Sequence, residues 1–249
     1  MQIKKGFECD LFSVSAATPG EGIKLNGIPV CLENVAKEDS RIDLMYKGTR
    51  VFIAEHILAP LKLLGIEDAI VVGKEKEWDF ARPVHRFAYS VNMKTGSIFG
   101  PSDGRHCYEL LEVEGVYESK ESQRYYTVPS PVVYEKPGLG SIEILPSAPC
   151  TGMQFSITAG KITVKARVYV TCKQNDKELL DKILKSRTPA VCGLDSDEPM
   201  WHAIGDFTAD LCGIGKLTDA VVNAEVGFDY HALTIGSLRK LSEIEKGGH

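Results

Sequence analysis

The chain has 249 residues, 43% of them hydrophobic and 25% charged, and carries a net charge of −5. That balance belongs to a globular protein with material for one large domain or two ordinary ones, and it excludes disordered and collagen-like chains. No basic block or stripe asks for nucleic acid, and no apolar run approaches the roughly 20 residues of a membrane span.

Read along the chain, the N-terminal MQIKKGFECD lacks an apolar signal region. The seven cysteines form no CxxC pair and are odd in number, so reduced thiols and a cytoplasmic location are expected. Residues 8–35 read as strands broken by the turn Thr18-Pro19-Gly20-Glu21-Gly22. Residues 41–54 read as a hairpin turning at Lys47-Gly48. A helix follows over about 55–65, with Ile57, Leu58, Leu61 and Leu64 on one face and Gly65 placed to end it. Ala69 to Val72 reads as a buried strand, 73–101 as a strand-rich insertion, and 104–112 as a second helix. The polar stretch 117–124 is the expected linker between an N-terminal domain (1–120) and a C-terminal one (125–249). Beyond it, strands are expected near 125–135, 140–146, 152–158 and 162–171. A helix from Asn175-Asp176 to about 186 comes next, with Leu179, Leu180, Ile183 and Leu184 inward. Another runs from Pro199 to about 211, with Asp195 to Glu198 as cap candidates. A strand over Ala220 to Tyr230 and a helix over Ile235 to Glu245 end the chain. Runs of strands joined by short turns, with few crossovers, predict an α+β fold.

Three local features carry chemistry. Glu55-His56 stands where a strand meets a helix. His202, Asp206 and Asp210 recur every fourth residue, so they share one helix face. His231 ends a strand before the last helix. A catalytic zinc takes about three His or carboxylate ligands and keeps a position open for water, and a neighbouring carboxylate can accept that water's proton. His56, His202 and Asp206 are the candidate ligands. Glu55 is the candidate base, His231 the acid, and Asp210 the group that orients His231. Each feature alone has an ordinary alternative: a surface ion pair, a solvated carboxylate, or a histidine bonded to backbone. Spacing does not show that they converge.

The run Arg50-Val51-Phe52-Ile53-Ala54-Glu55-His56-Ile57-Leu58-Ala59, continuing to Leu64-Gly65-Ile66-Glu67-Asp68, resembles the UDP-3-O-acyl-N-acetylglucosamine deacetylases, zinc enzymes of lipid A biosynthesis. That family carries V-E-H-L-x-A-x-x-x-L-G-I-D-N there, with the Glu as general base and the His as zinc ligand. Further segments match in order. The H-x3-D-x3-D-L helix falls on His202, Asp206, Asp210 and Leu211. S-G-H-A-L falls on Asp229-Tyr230-His231-Ala232-Leu233. M-D-G-S falls on Ser102-Asp103-Gly104-Arg105, and G-V-G-L-H on Gly20-Glu21-Gly22-Ile23-Lys24. S-R-A-R-T-F falls on Lys185-Ser186-Arg187-Thr188-Pro189, which makes Thr188 the expected oxyanion support. Aligning A-I-G-D with Ala203-Ile204-Gly205-Asp206 gives a second register, in which Glu198 and His202 bind metal and Asp206 orients the histidine.

The resemblance implies two similar sheet-plus-helices domains with the helices between the sheets. It also implies a zinc site, with Fe2+ as the other candidate ion, and a small-molecule amino-sugar substrate, with no nucleic acid and no transmembrane segment. The expected reaction is hydrolysis of an N-acyl group, acetyl first, from an amino sugar or UDP-amino sugar. Two departures bear on this. Ala203 stands where the family has Lys, and positions 189–201 replace the βαβ-like segment that forms the family's acyl-chain passage. They support an alternative, a non-catalytic relative that binds a sugar-like ligand or a partner. The oligomeric state is left open.

Overall fold

The computed structural model describes residues 1–74, 97–99, 101–117, 126–227 and 229–247. The first half holds strands β1 (Gln2–Ile3), β2 (Phe7–Glu8), β3 (Phe12–Ala16), β4 (Ile23–Leu25) and β5 (Ile28–Pro29). It continues through β6 (Val35–Lys37), β7 (Asp43–Tyr46), β8 (Thr49–Phe52), helix α1 (Glu55–Leu63), β9 (Ala69–Gly73), β10 (Ser97–Ile98), α2 (Pro101–Glu114) and β11 (Val116–Tyr117). The second half holds β12 (Val132–Lys136), β13 (Gly140–Leu145), β14 (Met153–Ala159), β15 (Ile162–Val168), α3 (Lys177–Lys185), α4 (Pro189–Cys192) and α5 (Glu198–Phe207). It ends with a π-helical segment (Thr208–Ile214), β16 (Ala220–Val226) and α6 (His231–Gly247).

Local chemistry explains several boundaries. Lys47 and Gly48 both have positive φ, 48° and 83°, the pairing that a two-residue turn needs to match strand twist. Gly65 ends α1 at φ 72°, with its N–H on the carbonyl of Lys62 and that of Ile66 on Leu61, a Schellman arrangement. Asp176 caps α3 by accepting the Leu179 N–H at 2.8 Å. Asp197, expected as a cap for α5, instead accepts the indole N–H of Trp201 at 2.9 Å. β14 alternates inward Met153, Phe155, Ile157 and Ala159 with half-exposed partners, the signature of a sheet with one covered face.

The fold is α+β, and the two halves repeat one topology. Each five-stranded sheet consists of two hairpins with a late strand inserted between them, in the orders β2-β3-β9-β4-β5 and β12-β13-β16-β14-β15. The inserted strands β9 and β16 run antiparallel to β3 and β13, and parallel to β4 and β14. Even the loop chemistry recurs. Asp68, just before β9, accepts the Gly22 N–H at 2.7 Å, and Asp219, just before β16, accepts the Gly152 N–H at 2.7 Å. Helices from the two halves pack on one another between the sheets: α1 against α2, α5 and the π-helical segment, and α3 against α5. One continuous apolar core joins the halves, and Asn175 of the second donates to the Leu63 carbonyl of the first at 2.8 Å.

Some sequence expectations shift. The strand drawn over 125–135 begins at Val132, and the strand drawn to Tyr230 stops at Val226. The helix drawn to 211 runs on to Ile214 by widening into a π-helix. The insertion drawn at 73–101 and the linker at 117–124 lie mostly outside the described residues. No described helix is long and apolar enough to cross a membrane.

Candidate metal centre

The site begins at the end of β8. Ile53 has φ 57°, a left-handed conformation that a β-branched residue adopts only under constraint. Ala54 N–H binds the Ile42 carbonyl at 2.9 Å, and the Glu55 carboxylate accepts the Ile42 N–H at 3.0 Å through Oε2. The chain is thus turned sharply into α1, and Glu55 and His56 emerge together at its N-terminus. Gly104 of α2 lies against this turn so closely that a Cβ there would sit 2.0 Å from the His56 carbonyl oxygen. Only glycine fits, which is the physical content of the Ser102-Asp103-Gly104-Arg105 motif.

From the second half, α5 presents His202 and Asp206 one turn apart, and the π-helical segment presents Asp210. Gly215 N–H closes onto the Asp210 carbonyl at 3.0 Å, the wider π turn. His231 does not end a strand, as the sequence suggested. It opens α6, where the Tyr230 carbonyl accepts the N–H groups of Leu233 and Thr234.

Tautomers follow from the backbone. His56 Nδ1 lies 3.2 Å from the Phe99 carbonyl oxygen, and His202 Nδ1 lies 3.1 Å from that of Ser186. A carbonyl only accepts, so both Nδ1 atoms carry hydrogen, and in the neutral form of that tautomer the Nε2 atom offers a bare lone pair. The two rings meet edge to face at 5.6 Å. His202 Nε2 stands 3.3 Å from Asp206 Oδ2. Ligand atoms of His56, His202 and Asp206 all lie within 4.8 Å of one another. Two imidazoles and one carboxylate are donors of the kind that zinc or ferrous iron accepts. These three residues form a group that can hold a metal ion.

A second layer supports them. Tyr230 OH donates to Asp206 Oδ2 at 2.8 Å. His231 Nδ1 donates to Asp210 Oδ2 at 2.8 Å, and Thr234 Oγ1 donates to the same oxygen at 2.6 Å. His231 Nε2 is then directed at Asp206 Oδ2 and Glu55 Oε1, at 3.6 and 3.9 Å. Burial depresses the His56 imidazole to about 4, so it is neutral. Burial pushes Glu55 above the usual carboxylate range, and the His231 ring opposes that shift. For His231, burial works against the charged ring, but the carboxylates of Asp210, Asp206 and Glu55 outweigh it and raise the imidazole to about 10. For Asp206, burial acts upward, yet the imidazoles of His202, His231 and His56 hold it below the usual carboxylate range.

Six of the sequence-assigned residues, Glu55, His56, His202, Asp206, Asp210 and His231, therefore converge. Two do not. Glu198 is paired with Arg187, whose Nε and Nη2 bind its two carboxylate oxygens at 2.7 and 2.8 Å, and the group that can hold a metal contains Asp206 in its place. Thr188 stands at the N-cap position of the short helix α4, without a side-chain capping bond, and is not among the residues lining the cavity beside the ligands. That cavity, bordered by His56, Gly104, Arg105, Ser186, His202 and Asp206, measures about 30 Å³. Sequence reasoning missed Tyr230 and Thr234. Thr234 follows His231 by one helical turn, a signal that needed α6 to begin at His231. Phe99 and Ser186 act through backbone carbonyls and leave no side-chain signal. No protein-family model matches the chain, and no curated protein sequence matches it.

Proposed function

We propose that the chain is a zinc-dependent deacylase that hydrolyses an N-acyl group, acetyl first, from an amino sugar or UDP-amino sugar. One observation carries this reading: two bare imidazole nitrogens and a carboxylate face one another with Glu55 and the His231–Asp210 pair beside them. A zinc ion held by His56 Nε2, His202 Nε2 and Asp206, or ferrous iron in its place, would polarise an amide carbonyl and acidify water. Glu55 is held by the Ile42 N–H through Oε2, which leaves Oε1 to accept the proton of the attacking water. His231, its Nδ1 tied to Asp210, presents Nε2–H for donation to the departing amine. Tyr230 fixes the rotamer of Asp206. The resemblance of the Glu55-His56 helix to the lipid A deacetylases supports amide hydrolysis on a sugar. The direct run from Thr188 to His202 supports a substrate without the long acyl chain.

The small cavity favours a second reading. About 30 Å³ admits an ion with a water or two, not a hexosamine. On that reading the site binds metal without turnover and the fold serves recognition. One experiment separates the two: metal analysis together with an acetate-release assay over N-acetylated sugars and UDP-sugars. The deacylase reading expects one zinc per chain, release from at least one substrate, and retained zinc with roughly 10²-fold slower turnover in Glu55→Gln. Zinc without release on any substrate leaves only the binding reading. Turnover unchanged in Glu55→Gln removes Glu55 as the base.

A further inference from the structure

At the opposite end of α1 from His56, the two halves enclose a cavity of about 680 Å³, within the range of small-molecule sites. It lies where the repeated loops meet. Gly22 and Asp68 line it from one half, and Gly152 and Asp219 from the other. Within this cavity the repeats differ at one telling position. Counting back from β9 and β16, Lys62 and Gly213 are equivalent, and both line the cavity, so one half supplies an ammonium and the other supplies space.

Lys62 is only 6% exposed. Among the described residues its ammonium has neither a hydrogen bond nor an ion pair. Of the carboxylates nearby, Asp68 Oδ1 accepts from Gly22 N–H, and Asp219 accepts from Gly152 N–H through Oδ1 and from Thr218 Oγ1 through Oδ2; Glu67 lines the same cavity and attracts the ammonium without a hydrogen bond to it. A second cation, Lys216, also lines the cavity. A buried ammonium without a partner is unfavourable and is normally replaced by an apolar residue. Here it stays charged or neutral only at a cost that a bound anion would offset, because a charge-assisted hydrogen bond to carboxylate or phosphate satisfies it.

We propose that this interdomain cavity is a second ligand site, separate from the metal centre, which takes a small carboxylate- or phosphate-bearing molecule with its anionic group on Lys62 Nζ.

The test uses the full zinc-loaded chain with inorganic phosphate and succinate as probes, at constant ionic strength set by sodium chloride. Calorimetric titration is expected to show saturable binding of at least one probe. Lys62→Met is expected to weaken it about tenfold or more, the loss of one charge-assisted contact. His202→Ala is expected to leave it unchanged. Lys62→Met should also melt higher than wild type when no anion is present. Because a variant can repack, wild-type protein provides a second measurement. Reductive methylation of Lys62, read by peptide mass spectrometry, should slow in the bound anion while exposed Lys182 reacts as before. Absence of saturable binding by both probes, equal binding in Lys62→Met, or loss in His202→Ala alone overturns the proposal, as does methylation of Lys62 at the same rate with and without the anion.

Discussion

Gly104→Ala places one methyl group where the packing of α2 on α1 meets the backbone of a candidate metal ligand. The added Cβ would lie 2.0 Å from the His56 carbonyl oxygen and 3.0 Å from its carbon. An ordinary carbon–oxygen approach is about 3.3–3.6 Å, so α2 and α1 must part by roughly 1.3 Å or more at this point. Both struck atoms are backbone and cannot rotate away. Overpacking of this kind costs about 1–3 kcal/mol. At roughly 2–4 °C per kcal/mol for a chain of this size, Tm should fall by about 2–12 °C. The displacement is delivered to a ligand residue whose ring is set by the Nδ1 contact to Phe99 at 3.2 Å. Zinc affinity should therefore fall by about 10–100-fold, the range seen when a ligand's support is disturbed. Scanning fluorimetry and competition against a chromophoric chelator read the two effects. Gly205→Ala is the comparison, because its Cβ would meet only the Ile183 Cγ2 methyl, at 3.0 Å, which can yield. A Gly104→Ala protein with wild-type Tm and wild-type zinc affinity would refute the close contact and its link to His56.

The ligand register is tested by metal stoichiometry: His56→Ala, His202→Ala and Asp206→Ala should each lose zinc, while Glu198→Gln, which only frees Arg187, should keep it. Tyr230→Phe removes the hydroxyl that donates to Asp206 Oδ2 and should lower zinc affinity by about 10–100-fold with little change in circular dichroism. Metal-free protein should lose stability as pH rises. His231 titrates near 6.5 when unfolded and is raised to about 10 when folded, so its contribution is complete below pH 6.5 and gone above about 10. Urea midpoints at pH 6 and pH 10 measure this, and His231→Gln should flatten the alkaline decline.

Much of the fold was legible because it is written locally. The Lys47-Gly48 turn, the Gly65 stop, the Asp176 cap and the alternation of β14 each need only neighbours in sequence. So does the alignment of His202, Asp206 and Asp210 on one face. Convergence was not legible, since His56 meets His202 only through packing between the halves. The resemblance supplied that step. Thr188 matched in order, and in the structure it stands where α4 begins, outside the lining of the cavity beside the ligands. His231 was misplaced because β-rich Ala220 to Val226 ran visually into Tyr230, while the donors that begin α6, Leu233 and Thr234, lie after it. The strand orders were hidden for the same reason: β9 and β16 pair with hairpins far back in the chain.

Those late strands also set an order of events. Neither sheet can close until its central strand has arrived, and between hairpins and central strand the chain must first make α1 in one half, and α3 to the π-helix in the other. The slow, long-range pairing therefore comes last in each half, after the local hairpins and helices have formed. Every residue of the metal centre lies on those intervening helices or directly beyond a central strand. Metal should find no assembled site on a chain whose β16 has not yet inserted, so zinc uptake reports completion of the second sheet and can be timed in a refolding experiment as its final phase.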